Sequence, residues 1–385
     1  MAGGIASADM VIALAREGYL GSFGAAGLLP KSIEKALARF AAEIPARPFA
    51  VNLIHSPSEE RLEREAVDLF LRHGVRCVEA SAFMALSPHI VRYRLAGLRQ
   101  GPDGQVVAEH RVIAKISRPE TAERFMRPAP AATVSALLAQ GLITPLQADL
   151  AKYVPMADDI TVEADSGGHT DRRPLPALLP GILRLRDTVQ REHRYPAAIR
   201  VGAAGGLGTP LAVAAAFAMG AAYVVTGSVN QSCVESGASR ATKAMLAEAG
   251  IADCEMAPAA DMFELGVELQ VLKKGTLFPM RAKKLYELYQ AHDGLEALPE
   301  GSGPGWRRRC SGGRWPTCGR SASATSSAAT PTSSPARPAT PNGGWRWSSA
   351  GTWGCPRAGR RSATPTAPST TRSGAARRWA ASTTG

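Results

Sequence analysis

The chain has 385 residues, 45 basic and 33 acidic, for a formal net charge of +12. Such a charge points to a nucleic-acid or anionic-surface binder, but its distribution excludes that reading. Residues 301–385 hold 13 Arg and no Lys, Asp or Glu, so residues 1–300 carry 32 bases against 33 acids.

The two parts differ in kind. Residues 301–385 contain all six Trp and no Ile, Leu, Val, Met, Phe or Tyr. Nothing in such a segment offsets the entropy of ordering a chain, so it is expected to be a disordered tail. Residues 1–300 are long enough for one large domain. Their three cysteines, Cys77, Cys233 and Cys254, form no C-x-x-C pair. That pattern fits a reduced cytoplasmic protein without structural zinc. No stretch reaches ~20 uninterrupted apolar residues, and the N-terminus lacks the basic start and apolar run of a signal peptide.

Along the body, short apolar runs alternate with helical patterns. Strands are expected at Gly18–Ser22, Pro48–Leu53, Val75–Ala80, Val112–Ile116, Asp159–Glu163, Ala198–Gly202 and Ala222–Thr226. Helices are expected at Lys31–Ala42, Glu59–Arg72, Leu175–Gln190 and Pro210–Met219, with an inserted helical pair in Ala131–Val154. In Glu59–Arg72 the spacing of Leu62, Ala66, Leu69 and Phe70 predicts the buried face. Strands of about five residues alternating with helices imply a parallel sheet with crossovers. A (β/α)8 barrel needs one strand more than these, and Met1 opens in a glycine-containing loop before a helix, so the first strand is expected upstream. A Rossmann sheet fits less well, because Gly3 and Gly4 do not make its fingerprint.

Glycines and polar residues gather at the strand C-terminal ends, where both architectures place their sites. Gly205-Gly206 follows the penultimate expected strand and Gly227-Ser228 the last. Barrels commonly bind a phosphate there, because glycines let backbone N–H groups approach an anion and a following helix adds its dipole; plain tight turns are the other reading. His169 follows Ser166-Gly167-Gly168. Near its unperturbed pKa an imidazole can donate or accept a proton at neutral pH, with Glu163, Asp165 and Asp171 near enough in sequence to orient it. A lone histidine is also often structural. Lys115, in an otherwise apolar strand end, is costly unless it meets an anion, and Asn52 could hydrogen-bond a ring edge. The basic run of Lys273, Lys274, Arg281, Lys283 and Lys284 reads as a solvated face or as a surface for an acidic carrier protein.

Taken together these segments resemble the nitronate monooxygenase (2-nitropropane dioxygenase) flavoproteins. They are most similar to the PfaD-type branch, the trans-acting enoyl reductases of polyketide and polyunsaturated fatty-acid synthases. The residues that carry the resemblance are Gly4–Ser7, Asn52–Pro57 (NLIHSP), Pro155–Pro174 with Glu163–Asp171 (EADSGGHTD), Val201–Pro210, Ala221–Gln231 and Met256–Lys274 with Asp261–Glu264 (DMFE). The Gly-Gly-His segment is shared across the superfamily, whereas the extended EADSGGHTD and DMFE stretches point to the branch. The resemblance covers essentially all of 1–300. It implies a TIM barrel with FMN at its mouth. Gly205, Gly206, Gly227 and Ser228 would hold the phosphate, Asn52 and Lys115 would meet the ring, and Gly167, Gly168 and His169 would border flavin and substrate. The implied reaction is NADPH-dependent reduction of an α,β-enoyl thioester on an acyl carrier protein, with His169 or a water it holds as proton donor. Nitronate monooxygenase activity, or an inactive truncated or frameshifted subunit, are the alternatives.

Two departures stand out. The family has a strand before the Met1 loop, so Met1 is read as an internal start, or the chain as a piece of an acyltransferase–reductase fusion. The tail is read as a shifted reading frame beginning near Gly301. Thr370–Gly385 spells TTRSGAARRWAASTTG. A nucleotide string encoding DYQIWCGPAMGGFNDW, a C-terminal pattern of the family, yields that segment residue for residue once its first nucleotide is dropped. Gly344–Ser349 likewise decodes as RMALVF one frame back.

Overall fold

A computed structural model describes residues 3–55, 59–260 and 262–292. The expected disorder and frame shift of 301–385 lie outside the described residues. Seven strands form one sheet: β1 (Gly21–Phe23), β2 (Phe49–Ile54), β3 (Cys77–Ser81), β4 (Arg111–Ile116), β5 (Asp159–Glu163), β6 (Arg200–Ala204) and β7 (Val224–Val225). Every pairing is parallel, and the spatial order is the chain order. A doubly wound sheet would reverse its order at a switch point. This one never does, so it is the singly wound ladder of a barrel.

Helices precede and connect the strands, and several start at a capping side chain or a proline. They are α1 (Ala8–Arg16), α2 (Pro30–Glu43), α3 (Glu60–Arg72), α4 (Pro88–Ala96), α5 (Pro119–Met126), α6 (Ala131–Ala139), α7 (Pro145–Leu150), α8 (Leu175–His193) and α9 (Pro210–Ala218). Ser7, Ser87, Thr144 and Thr209 each accept a first-turn N–H with the side-chain oxygen, satisfying donors that a helix leaves orphaned. Proline opens α2, α4, α5, α7 and α9, where its missing N–H does no harm. The inserted helical pair is α6 and α7, as expected.

Side chains alternate along each strand, and the two faces have different compositions. Val51, Leu53, Val78, Ala80, Val112, Ala114, Ile160, Val162, Val201 and Ala203 are buried among helix residues such as Phe40, Phe70, Phe125 and Ile182. The alternate positions carry Asn52, Glu79, Lys115, Thr161, Glu163 and Gly202, and this face lines the barrel interior. A Cβ at Gly202 would overlap the Tyr223 ring, so glycine there lets Tyr223 lie across the interior, with its hydroxyl 2.8 Å from Thr161 Oγ1.

Among the described residues the ladder ends at β1 and β7, and no strand joins them. Residues 3–7 stitch the two edges at the mouth instead. Gly3 and Gly4 N–H donate to Ala26 and Gly24 carbonyls, Gly24 N–H donates to Ala6 O, and Gly237 N–H donates to Ile5 O.

Beyond β7 come α10 (Arg240–Ala247), an antiparallel pair β8 (Cys254–Pro258) and β9 (Glu268–Leu272), and α11 (Phe278–Ala291). No helix among the described residues is long and apolar enough to cross a membrane, and no cluster there could hold a metal ion.

Some expectations shift. The expected β3 and β6 begin two residues early, since Val75 and Ile199 are as apolar and buried as the paired residues. Helix α3 does not bury Leu62, which is 55% exposed; it buries Glu63. The stretch at Gly168–His169, expected as a loop, is a two-residue strand paired antiparallel with β9, Leu269 opposite His169 and Gln270 opposite Gly168.

Candidate active site

Three loops converge at the C-terminal ends of β5, β6 and β7. A Cβ on Gly167 would lie 2.6 Å from Ser228 Oγ, so the β5 and β7 loops touch there. Gly205 has φ +97°, and its Cβ would lie 2.6 Å from Ala164 O, so the β6 turn presses on the β5 loop. Gly205 requires glycine, since backbone atoms and a positive φ both exclude a side chain; at Gly167 only the Ser228 hydroxyl stands in the way. By contrast, nothing lies within 4 Å of a Cβ at Gly168, Gly208 or Gly227, and at Gly206 the nearest atom is Asp165 O at 3.8 Å. Gly206, Gly208 and Gly227 are thus exposed and unobstructed beside the N-terminus of α9. The Ser166 hydroxyl is buried close by without a hydrogen-bond partner among the described residues.

A polar band crosses the barrel interior from β2 to β5. Asn52, 3% exposed, donates its amide N–H groups to Glu79 O at 3.1 Å and Ser81 Oγ at 2.8 Å. Its carbonyl oxygen is what remains for a ligand donor. Lys115 Nζ sits 2.8 Å from Glu163 Oε1. The anion expected for this lysine is therefore supplied by the next strand. Burial works against the ammonium, but the Glu163 and Glu79 carboxylates outweigh it and hold Lys115 above the usual lysine range.

Glu79 is the band's unexpected member. It is buried, with Oε1 unpartnered among the described residues. Burial raises its pKa despite the opposing charge of Lys115. The folded state then holds its proton to higher pH than the unfolded state, so stability falls as pH rises from the unfolded value of ~4.3 to the raised one. The slope is at most about 1.4 kcal/mol per pH unit for one proton. Glu79→Gln cannot ionise and is expected to flatten that decline. Thermal unfolding from acidic to neutral pH checks this; parallel curves for parent and variant would remove Glu79 as the cause.

The segment after β5 is tied down along its length. Asp165 N–H donates to Arg173 O, Thr170 Oγ1 donates to Asp165 at 3.1 Å, and Asp171 accepts from Ser117 at 2.6 Å and Arg118 at 3.0 Å. Glu163, Asp165 and Asp171 thus have these partners besides any they share with His169. His169 itself is exposed, on the strand paired with β9. The structure brings Gly167, Gly205 and Ser228 into one cluster. Asn52 and Lys115 lie in the polar band. In the basic run, Lys274 pairs with Asp253 at 3.7 Å, Lys283 with Glu255 and Lys284 with Glu287 at 3.0 Å. Three of its five charges are therefore answered locally.

The sequence profile of nitronate monooxygenases matches residues 1–285. The chain belongs to the nitronate monooxygenase family. It is 56% identical over 301 residues to a polyunsaturated fatty acid synthase subunit of Thraustochytrium sp., covering 78% of this chain and 20% of that protein. It is 47% identical over 296 residues to the polyketide biosynthesis protein PksE of Bacillus subtilis, covering 77% and 39%. It thus spans less than half the length of these relatives. Among solved structures, the enoyl reductase domain of MlnA, from the macrolactin biosynthesis cluster of Bacillus amyloliquefaciens, is 40% identical. That match has a TM-score of 0.80 and covers 83% of this chain and 73% of that one.

Proposed function

We propose that this family member is an FMN-dependent reductase of α,β-enoyl thioesters, acting on acyl groups held by an acyl carrier protein and using NADPH as reductant. The reading rests on the 40% identity to an enoyl reductase domain along most of the barrel. Relatives named for polyunsaturated fatty acid synthase and polyketide biosynthesis support a carrier-bound substrate.

The residues present fit FMN. Open glycine positions lie beside the N-terminus of α9, which suits a phosphate, and the Ser166 hydroxyl next to Gly167 is buried without a partner among the described residues. Backbone N–H groups of Gly205, Gly206 and Gly227, with the Ser228 hydroxyl, would hold the phosphate, and Gly167 and Gly168 would border the ring. The Asn52 carbonyl would accept from a ring N–H, and Lys115 would place positive charge at the ring edge. Bound FMN would supply hydride transfer from NADPH to the β-carbon of the enoyl thioester. His169, or a water it holds, would deliver the proton to the α-carbon.

The family's name favours a second reading, nitronate oxidation with His169 as base. The test is NADPH consumption by the FMN-loaded full chain. Oxidation that depends on crotonyl-pantetheine, with product reduced at the double bond, is the expected result. Turnover of a nitronate with no response to the thioester would reverse the assignment.

A further inference from the structure

Helix α3 turns a glutamate rather than the neighbouring leucine into the protein. Glu63 has a side chain 1% exposed, while Leu62 is 55% exposed. Burying a carboxylate costs several kcal/mol unless strong partners answer it. Glu63 has two. Its Oε2 lies 2.6 Å from His55 Nδ1, and its Oε1 accepts the Ser87 hydroxyl. Ser87 Oγ also accepts the Ile90 N–H at 3.2 Å as the N-cap of α4.

The hydrogen bonds constrain the tautomer. The single Ser87 proton goes to Glu63 Oε1. A carboxylate can only accept, so with Glu63 as a carboxylate the hydrogen between its Oε2 and His55 is carried by Nδ1. Nε2 is the nitrogen left over from the pair: it accepts while the ring is neutral and presents a hydrogen when the ring is protonated.

The imidazole is fixed on its other sides too. His55 follows the last residue of β2, at the same end of the barrel as the glycine turns after β6 and β7 and three residues past Asn52. Its backbone N–H donates to Ser81 O at 3.1 Å. Its ring stacks on Phe83, with centroids 5.0 Å apart and planes 22° apart, and Phe83 meets Phe125 edge-on. Ala82 reaches Phe83 through φ +62°, a conformation a residue with a Cβ adopts at a cost. The nearby Glu60–His89 pair, at 3.2 Å on the same two helices, has Glu60 turned to solvent. A neutral packing pair would staple β2 to α3 as well and without burying a charge. What the carboxylate adds is an imidazole of fixed orientation.

We propose that His55, oriented by Glu63, is a second functional histidine of the mouth, donating in its protonated form a hydrogen bond from Nε2–H to the carbonyl oxygen of the bound acyl thioester. This rests on the enoyl reductase reading. As hydride forms the new C–H bond at the β-carbon, the C=C π pair moves toward the carbonyl and negative charge grows on the thioester oxygen. A donor already aimed at that oxygen stabilises it without reorganising. The proton that joins the α-carbon restores the carbonyl and comes from His169 or its water, so His55 ends the cycle unchanged. Glu63 is a positioning residue.

Two measurements on the full chain test this. The first is stopped-flow reoxidation of the reduced flavin by crotonyl-pantetheine. His55→Phe keeps an aromatic ring against Phe83 but no donor, and should slow reoxidation about 10²–10³-fold, the usual cost of removing one such donor. His55→Gln keeps an N–H donor and should recover part of that loss. The second is ¹⁵N NMR of histidine-labelled parent protein, with His55 assigned by its disappearance in His55→Gln. His55 should carry a hydrogen on Nδ1 and, with crotonyl-pantetheine bound, on Nε2 as well; Glu63→Gln should disturb the Nδ1 hydrogen, and crotonyl-pantetheine should shift the Nε2 resonance. Reoxidation of His55→Phe at the parent rate, or an Nε2 resonance indifferent to the thioester, would overturn the inference alone. A parent that the thioester never reoxidises would overturn the enoyl reductase reading, and this inference with it.

Discussion

Gly206→Asp is expected to abolish flavin retention while leaving the barrel folded. Gly206 has φ +69°, and the nearest atom to an added Cβ is Asp165 O at 3.8 Å. There is room for a side chain, and aspartate is among the residues that adopt the left-handed region most readily. What changes is charge. A carboxylate about 4 Å from a phosphate costs about 4 kcal/mol per pair of unit charges at an effective dielectric constant of 20. At 1.4 kcal/mol per decade of affinity, that is a loss of about a thousand-fold or more. Gly206→Asn is the control: similar in shape, tolerant of the same φ and neutral. The ratio of flavin to protein absorbance after purification, with the unfolding temperature of each variant, reads the outcome. An Asp variant as yellow as the Asn variant would mean that no phosphate sits at this turn.

The glycines were legible in the sequence because their requirement is local. A turn that needs positive φ, as at Gly168, Gly205 and Gly206, excludes most other residues whatever surrounds it. The strands were legible because their outer faces are Val, Ile and Ala packed under helices. Their ends were not, because Val75 and Ile199 are buried apolar residues just outside the pairing. Glu79 and Glu63 were missed for the opposite reason. A charged residue in an apolar pattern reads as solvent-facing, and what brings these two inside lies outside their own helix or strand. For Glu63 it is Ser87 and His55, and for Glu79 it is the band shared with Lys115 and Asn52. The one available signal was Leu62-Glu63 itself: two registers of the same helix compete there, and the spacing of Leu62 with Ala66 favoured the wrong one. The pairing of Gly168–His169 with β9 left no trace, since two residues cannot display a period and their partner lies about a hundred positions on.

His169→Ala is expected to slow the transfer of hydride to substrate by about 10²–10⁴-fold, the usual contribution of general acid catalysis. The residue ends a segment held at both ends, by the Asp165–Arg173 backbone bond and by the pairing with β9, so its backbone is placed before any ligand arrives. Its ring is exposed, and removing it opens no cavity in the core. The loss should therefore appear in rate, with little change in unfolding temperature. Saturation of the double bond needs a proton at the α-carbon. Reduction of the flavin by NADPH needs none from the protein. The two half-reactions, run separately in a stopped-flow instrument, should part company: bleaching of the flavin by NADPH at nearly the parent rate, recovery of its colour on adding crotonyl-pantetheine much slower. Deuterium gives a second readout. If His169 or its water delivers the proton, the parent should show a solvent isotope effect on recovery that the variant alters. Recovery at the parent rate in His169→Ala, with the isotope effect intact, would make this histidine part of the β9 sheet and assign the proton to another group.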